Sequence, residues 1–278
     1  MNPRELIRST AETFRAAGIP DPDTDAALLL SHLLRRPPLE LRLDTDTELD
    51  SAVLDAFAAL AGRRAERVPV QYLLNEAPFY RRMFHVDPRV LIPRPETELL
   101  CEWALSVISG LSSPRVLDLC CGSGCIGLTV KAERPDAIVT LSDISRDALD
   151  VAAANAARYS LDVSLVQADL LDGFKDASMD LILSNPPYIP SKDCISLQPE
   201  VLREPVLALD GGPDGCDLYR RIAASAGRVL RSGGKLLMEL GIRESAPVAS
   251  LLAAQEFSDI RVRKDLNGID RMILAARP

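Results

Sequence analysis

From Glu96 to Pro278 the chain alternates short apolar runs with amphipathic stretches, and no other feature restricts the fold as much. "RVLDLC", "AIVTLSD", "DVSLVQAD", "MDLILSN" and "GKLLMELG" have the length and composition of buried strands, and helical segments such as "SRDALDVAAANAARYS" separate several of them. Strand–helix alternation of this kind closes by right-handed crossovers into a doubly wound, mostly parallel, Rossmann-like α/β sheet with helices on both faces. The last two runs, "FSDIRVR" and "DRMILAAR", are separated only by "KDLNGI", so they are expected to pair antiparallel. Residues 1–75 have a different character. "PRELIRSTAETFRAAG" ends at a C-capping Gly18, "DPDTDAALLLSHLLRR" opens with acids and closes with arginines, and "DSAVLDAFAALAGRRAERV" supplies a third helix, which together imply a small helical bundle. Residues 76–95, rich in aromatic and β-branched residues and proline, suggest a hairpin linker before the α/β domain at 96–278.

Composition narrows the function classes. No apolar run approaches the ~18 residues that cross a bilayer, and the charged start "MNPRELIRSTAETFR" lacks a signal-peptide centre, so a cytoplasmic protein without membrane contact is expected. A net charge of −8 argues against direct nucleic-acid binding and favours a protein or small-molecule partner. The six cysteines, at 101, 120, 121, 125, 194 and 216, follow no disulfide framework and no paired C-x-x-C spacing; reduced thiols and no metal site are expected. His32 and His85 stand apart from other reactive groups and read as structural.

In a doubly wound sheet, ligands bind beyond the carboxyl ends of the strands, near the point where strand order reverses. There "RVLDLCCGSGCIGL" passes from strand to helix through Gly122 and Gly124, with Cys120, Cys121 and Ser123 completing the turn. Asp143 ends the next strand, 21 residues after Gly122, where a carboxylate can accept hydrogen bonds from ribose hydroxyls. Asp169 and Leu170 follow the third strand and can address an adenine. Gly122 to Gly127 also satisfies G-x-G-x-x-G, which makes a nicotinamide oxidoreductase a competing class. Against it, Asp118 within the strand suits a cationic ligand end better than a pyrophosphate, and no hydride-transfer constellation follows. S-adenosylmethionine, with sulfonium, ammonium and ribose, fits Asp118 and Asp143 better.

The apolar run Met179–Leu183 runs into "SNPPYIP". Pro186 and Pro187 lack backbone donors and fix φ, so they hold Asn185 and Tyr188 in a stiff extended turn at the strand's end. The glycine-rich turn, the acid after the second strand and Asn-Pro-Pro-Tyr together resemble the class I methyltransferases that alkylate planar nitrogen. "PVQYLL", "FYRRMFHVDPRVLIPRPETELL", "DLCCGSGCIGL", "NPPYIP", "EPVLALDGGPDGCDLYRRI" and "LRSGGKLLMELG" are similar to the peptide chain release factor glutamine N5-methyltransferases, from about Pro69 onward. Arg94-Pro95-Glu96-Thr97-Glu98 favours that group over the related ribosomal-protein enzymes. Cys120 stands where the family usually has Gly, and a Gln common near Arg243 or Glu244 is missing.

The resemblance implies an enzyme that moves a methyl group from S-adenosylmethionine, leaving S-adenosylhomocysteine, to the glutamine amide of the Gly-Gly-Gln loop in class 1 release factors. It implies that the Asn185 oxygen and the Pro186 carbonyl accept the two amide N–H groups, that Tyr188 stacks on the amide plane, and that Pro187 shapes the substrate slot. The helical segment is expected to dock the protein substrate, and the enzyme to be a monomer. A ribosomal-protein glutamine methyltransferase or an adenine amino-methyltransferase is the alternative, and a non-catalytic cofactor-binding protein ranks behind both.

Overall fold

The computed structural model describes residues 1–278, which divide into two compact units. Unit 1 comprises Met1–Glu76 with Gln198–Arg203, and unit 2 comprises Ala77–Leu197 with Glu204–Pro278.

Unit 1 is helical: α1 (Pro3–Ala16), α2 (Pro22–Leu34), α3 (Pro38–Leu43), α4 (Ser51–Ala65) and α5 (Val70–Leu74). Asn2 starts α1 with a capping box to Glu5, Asp50 caps α4 through the Val53 N–H, and proline occupies the first turn of α1, α2 and α3. Each device satisfies or removes an orphan donor at a helix start. Gly18, with φ of 73°, lets the chain turn sharply after α1, as the sequence suggests. Leu6, Phe14, Leu29, Leu30, Leu41 and Phe57 form the core. Inside it lies a charged cluster: buried Arg64 donates to Asp25 at 2.7 Å and to Glu200 at 2.9 Å, while Arg67 meets the other Glu200 oxygen at 2.6 Å. α3 and α5, of six and five residues, are too short to show a helical period in sequence. His32 is exposed on α2.

Unit 2 opens with a hairpin of β1 (Glu76–Phe79), whose first residue closes unit 1, and β2 (Arg82–His85). Its Phe79 and Phe84 are fully buried, edge to face at 6.0 Å, and the Asn155 side chain exchanges hydrogen bonds with the His85 backbone. The elements that follow are α6 (Pro95–Val107), β3 (Arg115–Leu119), α7 (Cys125–Glu133), β4 (Ile138–Asp143), α8 (Arg146–Arg158), β5 (Ser164–Gln167), β6 (Met179–Ser184), α9 (Asp217–Val229), β7 (Leu230–Glu239), α10 (Ser245–Ala254), β8 (Ser258–Lys264) and β9 (Asp270–Ala276). The sheet order is β5-β4-β3-β6-β7-β9-β8, parallel from β5 to β7, with β9 antiparallel to both neighbours. This is the expected doubly wound arrangement. Strand alternation sorts the apolar residues into two layers: Val116, Leu181 and Leu183 pack under α6, α7 and α8, while Leu117, Leu119 and Ile182 pack under α9 and α10. β3 is the first strand of the sheet, and later strands add on either side of it, so its carboxyl end marks the switch point.

Candidate active site

A cavity of about 310 Å³ opens at this switch point, walled by the ends of four parallel strands: Leu119, Cys120 and Gly122 after β3, Asp143 and Ile144 at β4, Asp169 and Leu170 after β5, and Asn185 and Pro187 after β6. Asp143 builds the floor of the turn. Its two carboxylate oxygens accept from the Gly122 and Ser145 N–H groups, both at 2.9 Å, which ties the glycine turn to the next strand. Each oxygen keeps a further lone pair for a ligand hydroxyl. Burial raises the Asp143 carboxyl above its ordinary range, against the lowering effect of those backbone donors. Asp169 pairs with Arg221 of α9 at 2.8 Å, and both side chains line the cavity.

Not every turn residue faces the cavity. Strand alternation puts Asp118 on the α6–α7–α8 side, with no exposed surface and outside the cavity wall. Its Oδ2 accepts the Gly127 N–H at 2.8 Å, so it satisfies a donor in the first turn of α7 from the strand beneath; Oδ1 has no partner. Gly127 has to be glycine for this approach, because a Cβ there would lie 2.9 Å from the Asp118 Cβ and overlap Leu141. Burial, with Asp143 nearby, pushes the Asp118 carboxyl up to about 7. Cys121, Ser123 and Gly124 also turn inward: Cys121 is in the core, Ser123 is buried with its carbonyl on Asn155, and Gly124 packs against Leu128, Leu141 and Ala152. Cys120 does reach the cavity, at a left-handed φ of 59° that a side chain adopts at some cost. Burial pushes the Cys120 and Cys125 thiols up to about 12 and raises Cys101 and Cys121 as well, so all four stay protonated and unreactive.

The Asn185–Tyr188 turn is clamped from both sides. Ser184 donates to the Leu119 carbonyl at 2.8 Å, and beyond the prolines Ile189 exchanges backbone bonds with Leu209 and Gly211, each at 2.9 Å. A Cβ on Gly211 would come within 2.6 Å of the Tyr188 Cα, which explains a glycine in "ALDGGPDG". Pro186 is buried, and Pro187 joins the cavity wall. Tyr188 lines a neighbouring pocket with Cys216, Gly241 and Glu244, and burial raises its phenol far above the ordinary range. Asn185 gives its Nδ2 to the Thr97 hydroxyl at 3.4 Å, while Oδ1 has no partner in the chain.

A nucleoside with a cationic tail fits these groups. The volume is at the lower end of small-ligand sites, Leu119, Ile144, Leu170 and Leu207 offer apolar faces, Asp143 offers paired acceptors, and the Asp118 carboxyl, with one oxygen unpartnered, lies buried under the turn where a nearby cation would favour its ionised form.

Two family models match the chain: "PrmC N-terminal domain" over residues 5–74 and "Methyltransferase small domain" over residues 97–212. The release factor glutamine methyltransferase of Chlorobaculum tepidum is 44% identical, with 96% of this chain and 94% of that protein covered. The chain belongs to the release factor glutamine methyltransferases. The Deinococcus radiodurans member is 40% identical over 100% of this chain and 99% of its own. Among solved structures, the Thermus thermophilus 16S rRNA N2 G1207 methyltransferase in complex with AdoMet and guanosine aligns with a TM-score of 0.54, covering 73% of this chain and 50% of that one. At 19% identity it shares the fold.

Several groups in the site of this family member have no local signal that assigns them to it, although the stretches that hold them carry the family resemblance. Val90 and Leu91 before α6, the Pro205–Ala208 segment and Arg221 complete the cavity wall. Thr97 and Glu239 stand behind Asn185. Both lie in stretches that carry the family resemblance, "RPETE" and "MELG", but nothing local marks them as parts of one site.

Proposed function

We propose that this enzyme transfers the methyl group of S-adenosylmethionine to the side-chain amide nitrogen of the glutamine in the Gly-Gly-Gln loop of class 1 peptide chain release factors, leaving S-adenosylhomocysteine and tuning translation termination. The observation that carries the reading is the pair of unclaimed acceptors at the end of β6: Asn185 Oδ1, and the Pro186 carbonyl, which accepts no hydrogen bond within the chain.

A carboxamide nitrogen is a weak nucleophile because its lone pair is delocalised into the carbonyl. Two fixed acceptors hold its N–H groups, orient the lone pair and favour the positive charge that grows on nitrogen. Bound S-adenosylmethionine supplies an electrophilic methyl group on a sulfonium. Asp143 accepts the ribose hydroxyls, Asp169 and Leu170 hold the adenine, Cys120 and Gly122 border it, and Cys121, Ser123 and Gly124 shape the turn from within. Asp118 favours the cationic end through its field from beneath. Tyr188 and Pro187 confine the amide plane. The surplus proton leaves after transfer, when the nitrogen is far more acidic, so no strong base is needed.

Residues 1–75 serve in this reading as the docking part for the protein substrate, 76–95 as the hairpin link and 96–278 as the catalytic part. Nine arginines against twelve acids before Pro69 support a protein rather than a phosphate partner. The net charge of −8 is in keeping with an enzyme that works without direct nucleic-acid contact; in this reading it acts as a monomer in the cytoplasm. No helix is long and apolar enough to cross a membrane. The test is transfer from labelled S-adenosylmethionine to purified release factor, ribosomal protein and nucleic acid, followed by peptide mass spectrometry. Label on the Gly-Gly-Gln glutamine is expected. Label confined to either other acceptor would refute the reading. Asn185→Ala should lower turnover by about 10² to 10³ and leave cofactor affinity nearly unchanged.

A further inference from the structure

We infer that Thr97 and Glu239 form a hydrogen-bond relay that turns the Asn185 amide, presenting its oxygen and not its nitrogen to the substrate; this rests on the proposed glutamine methylation. Three distances carry it. Thr97 Oγ1 donates to Glu239 Oε2 at 2.6 Å, Asn185 Nδ2 donates to Thr97 Oγ1 at 3.4 Å, and the Tyr188 hydroxyl stands 3.5 Å from Glu239 Oε1. Thr97 and Glu239 are each 2% exposed, so water cannot substitute for either partner.

The polarity follows from counting protons. An ionised carboxylate only accepts. The single Thr97 hydroxyl hydrogen is therefore committed to Glu239, and only its lone pairs remain for Asn185. A lone pair can receive the Asn185 NH2 group and cannot satisfy its oxygen. The amide is thereby held in one of its two flips, with Oδ1 left for a substrate N–H. The opposite flip would set the Asn185 oxygen against a Thr97 lone pair, acceptor against acceptor, and would turn the NH2 group toward the substrate, removing the acceptor that glutamine needs. Thr97 and Glu239 are thus positioning residues, acting through Asn185 and, at Glu239 Oε1, beside Tyr188.

The relay is sensitive to the charge on Glu239. Burial pushes this carboxyl up to about 7; Arg271 of β9 opposes the rise and Glu96 of α6 adds to it, while Cys101, Cys125, Tyr188 and Tyr219 complete the titratable surroundings. When protonated, Glu239 can donate to Thr97, which frees the hydroxyl hydrogen for Asn185 Oδ1 and undoes the bias. Turnover should therefore fall as pH drops through this range.

The test combines NMR of the cofactor-free protein with turnover. The Asn185 side-chain amide resonances should shift with a midpoint near 7, and Glu239→Gln should abolish that shift together with the acid limb of kcat. Thr97→Val, which keeps the shape and removes the hydroxyl, should lower kcat roughly tenfold, with KM for release factor and cofactor affinity changed by less than about twofold; Thr97→Ser should restore the rate. The relay is overturned if Thr97→Val turns over at the parental rate, or if the Asn185 resonances ignore Glu239→Gln. A parent protein inactive on release factor would instead overturn the functional reading, and the NMR arm would still decide the relay.

Discussion

Replacing Asp118 by Asn should stabilise the cofactor-free protein at alkaline pH while weakening cofactor binding. The side chain has no exposed surface, one oxygen held by Gly127 and the other unpartnered, so its ionised form is poorly compensated. The folded carboxyl titrates near 7, against 3.8 for an unburied one. Below the lower value both states are protonated and the group's contribution is complete; as pH rises toward 7 the unfolded chain has already ionised, and stability drains away. About three units at 1.36 kcal/mol each give roughly 4 kcal/mol over the full range, of which about 2 to 3 kcal/mol falls between pH 5 and pH 8. Asparagine has nearly the shape of the protonated acid and does not titrate. Urea denaturation at the two pH values should show the parent losing that much more than Asp118→Asn. Glu239 and Glu244, also raised to about 7, tilt both proteins alike and cancel in the comparison. Parallel profiles for parent and mutant would refute the uncompensated-charge argument. In titration calorimetry the mutant should bind S-adenosylmethionine more weakly by about 1 to 2 kcal/mol, the scale of a charge acting across a layer of backbone. Unchanged affinity would leave Asp118 as an anchor of the turn alone.

Asp143→Ala should cost about 1.5 to 3 kcal/mol of cofactor affinity by calorimetry, with the fold retained by circular dichroism; equal affinity in a folded mutant would remove Asp143 from the ribose. Arg64→Met strands Asp25 in the core of unit 1 and takes from Glu200 one of its two arginines, leaving Arg67 on both carboxylate oxygens, and should destabilise the unit by about 3 to 5 kcal/mol in urea unfolding. Cys120→Gly relieves a left-handed backbone at a residue with a Cβ and should stabilise the protein by about 1 kcal/mol, read as a higher melting temperature.

What sequence made legible was local. The strand–turn–helix passage through Gly122 and Gly124, the acids at successive strand ends and the stiff Asn185–Tyr188 turn are each contained in a few consecutive residues, and the cavity forms where they meet. The misses have two physical origins. α3 and α5 span less than two turns, and so carry no period to detect. The Arg64–Asp25–Glu200 cluster joins residues 39 and 136 positions apart, a pairing that no pattern of spacing contains.

Asp118 lies between these cases. Its chemistry was readable, a carboxylate beside the cofactor turn, but its exposure was not. Counting alternate residues along β3 separates it from Leu117 and Leu119, and that count places it beneath α7 instead of at the cavity. The same logic explains why Thr97 and Glu239 escaped notice. Asn185 is recognisable because two prolines fix it locally, yet which of its two ends faces the substrate is decided by a hydroxyl at the start of α6 and a carboxylate 142 residues further along, at the end of β7. A motif can therefore announce that an amide is present while the direction of that amide, on which acceptor chemistry depends, is a property of the tertiary fold.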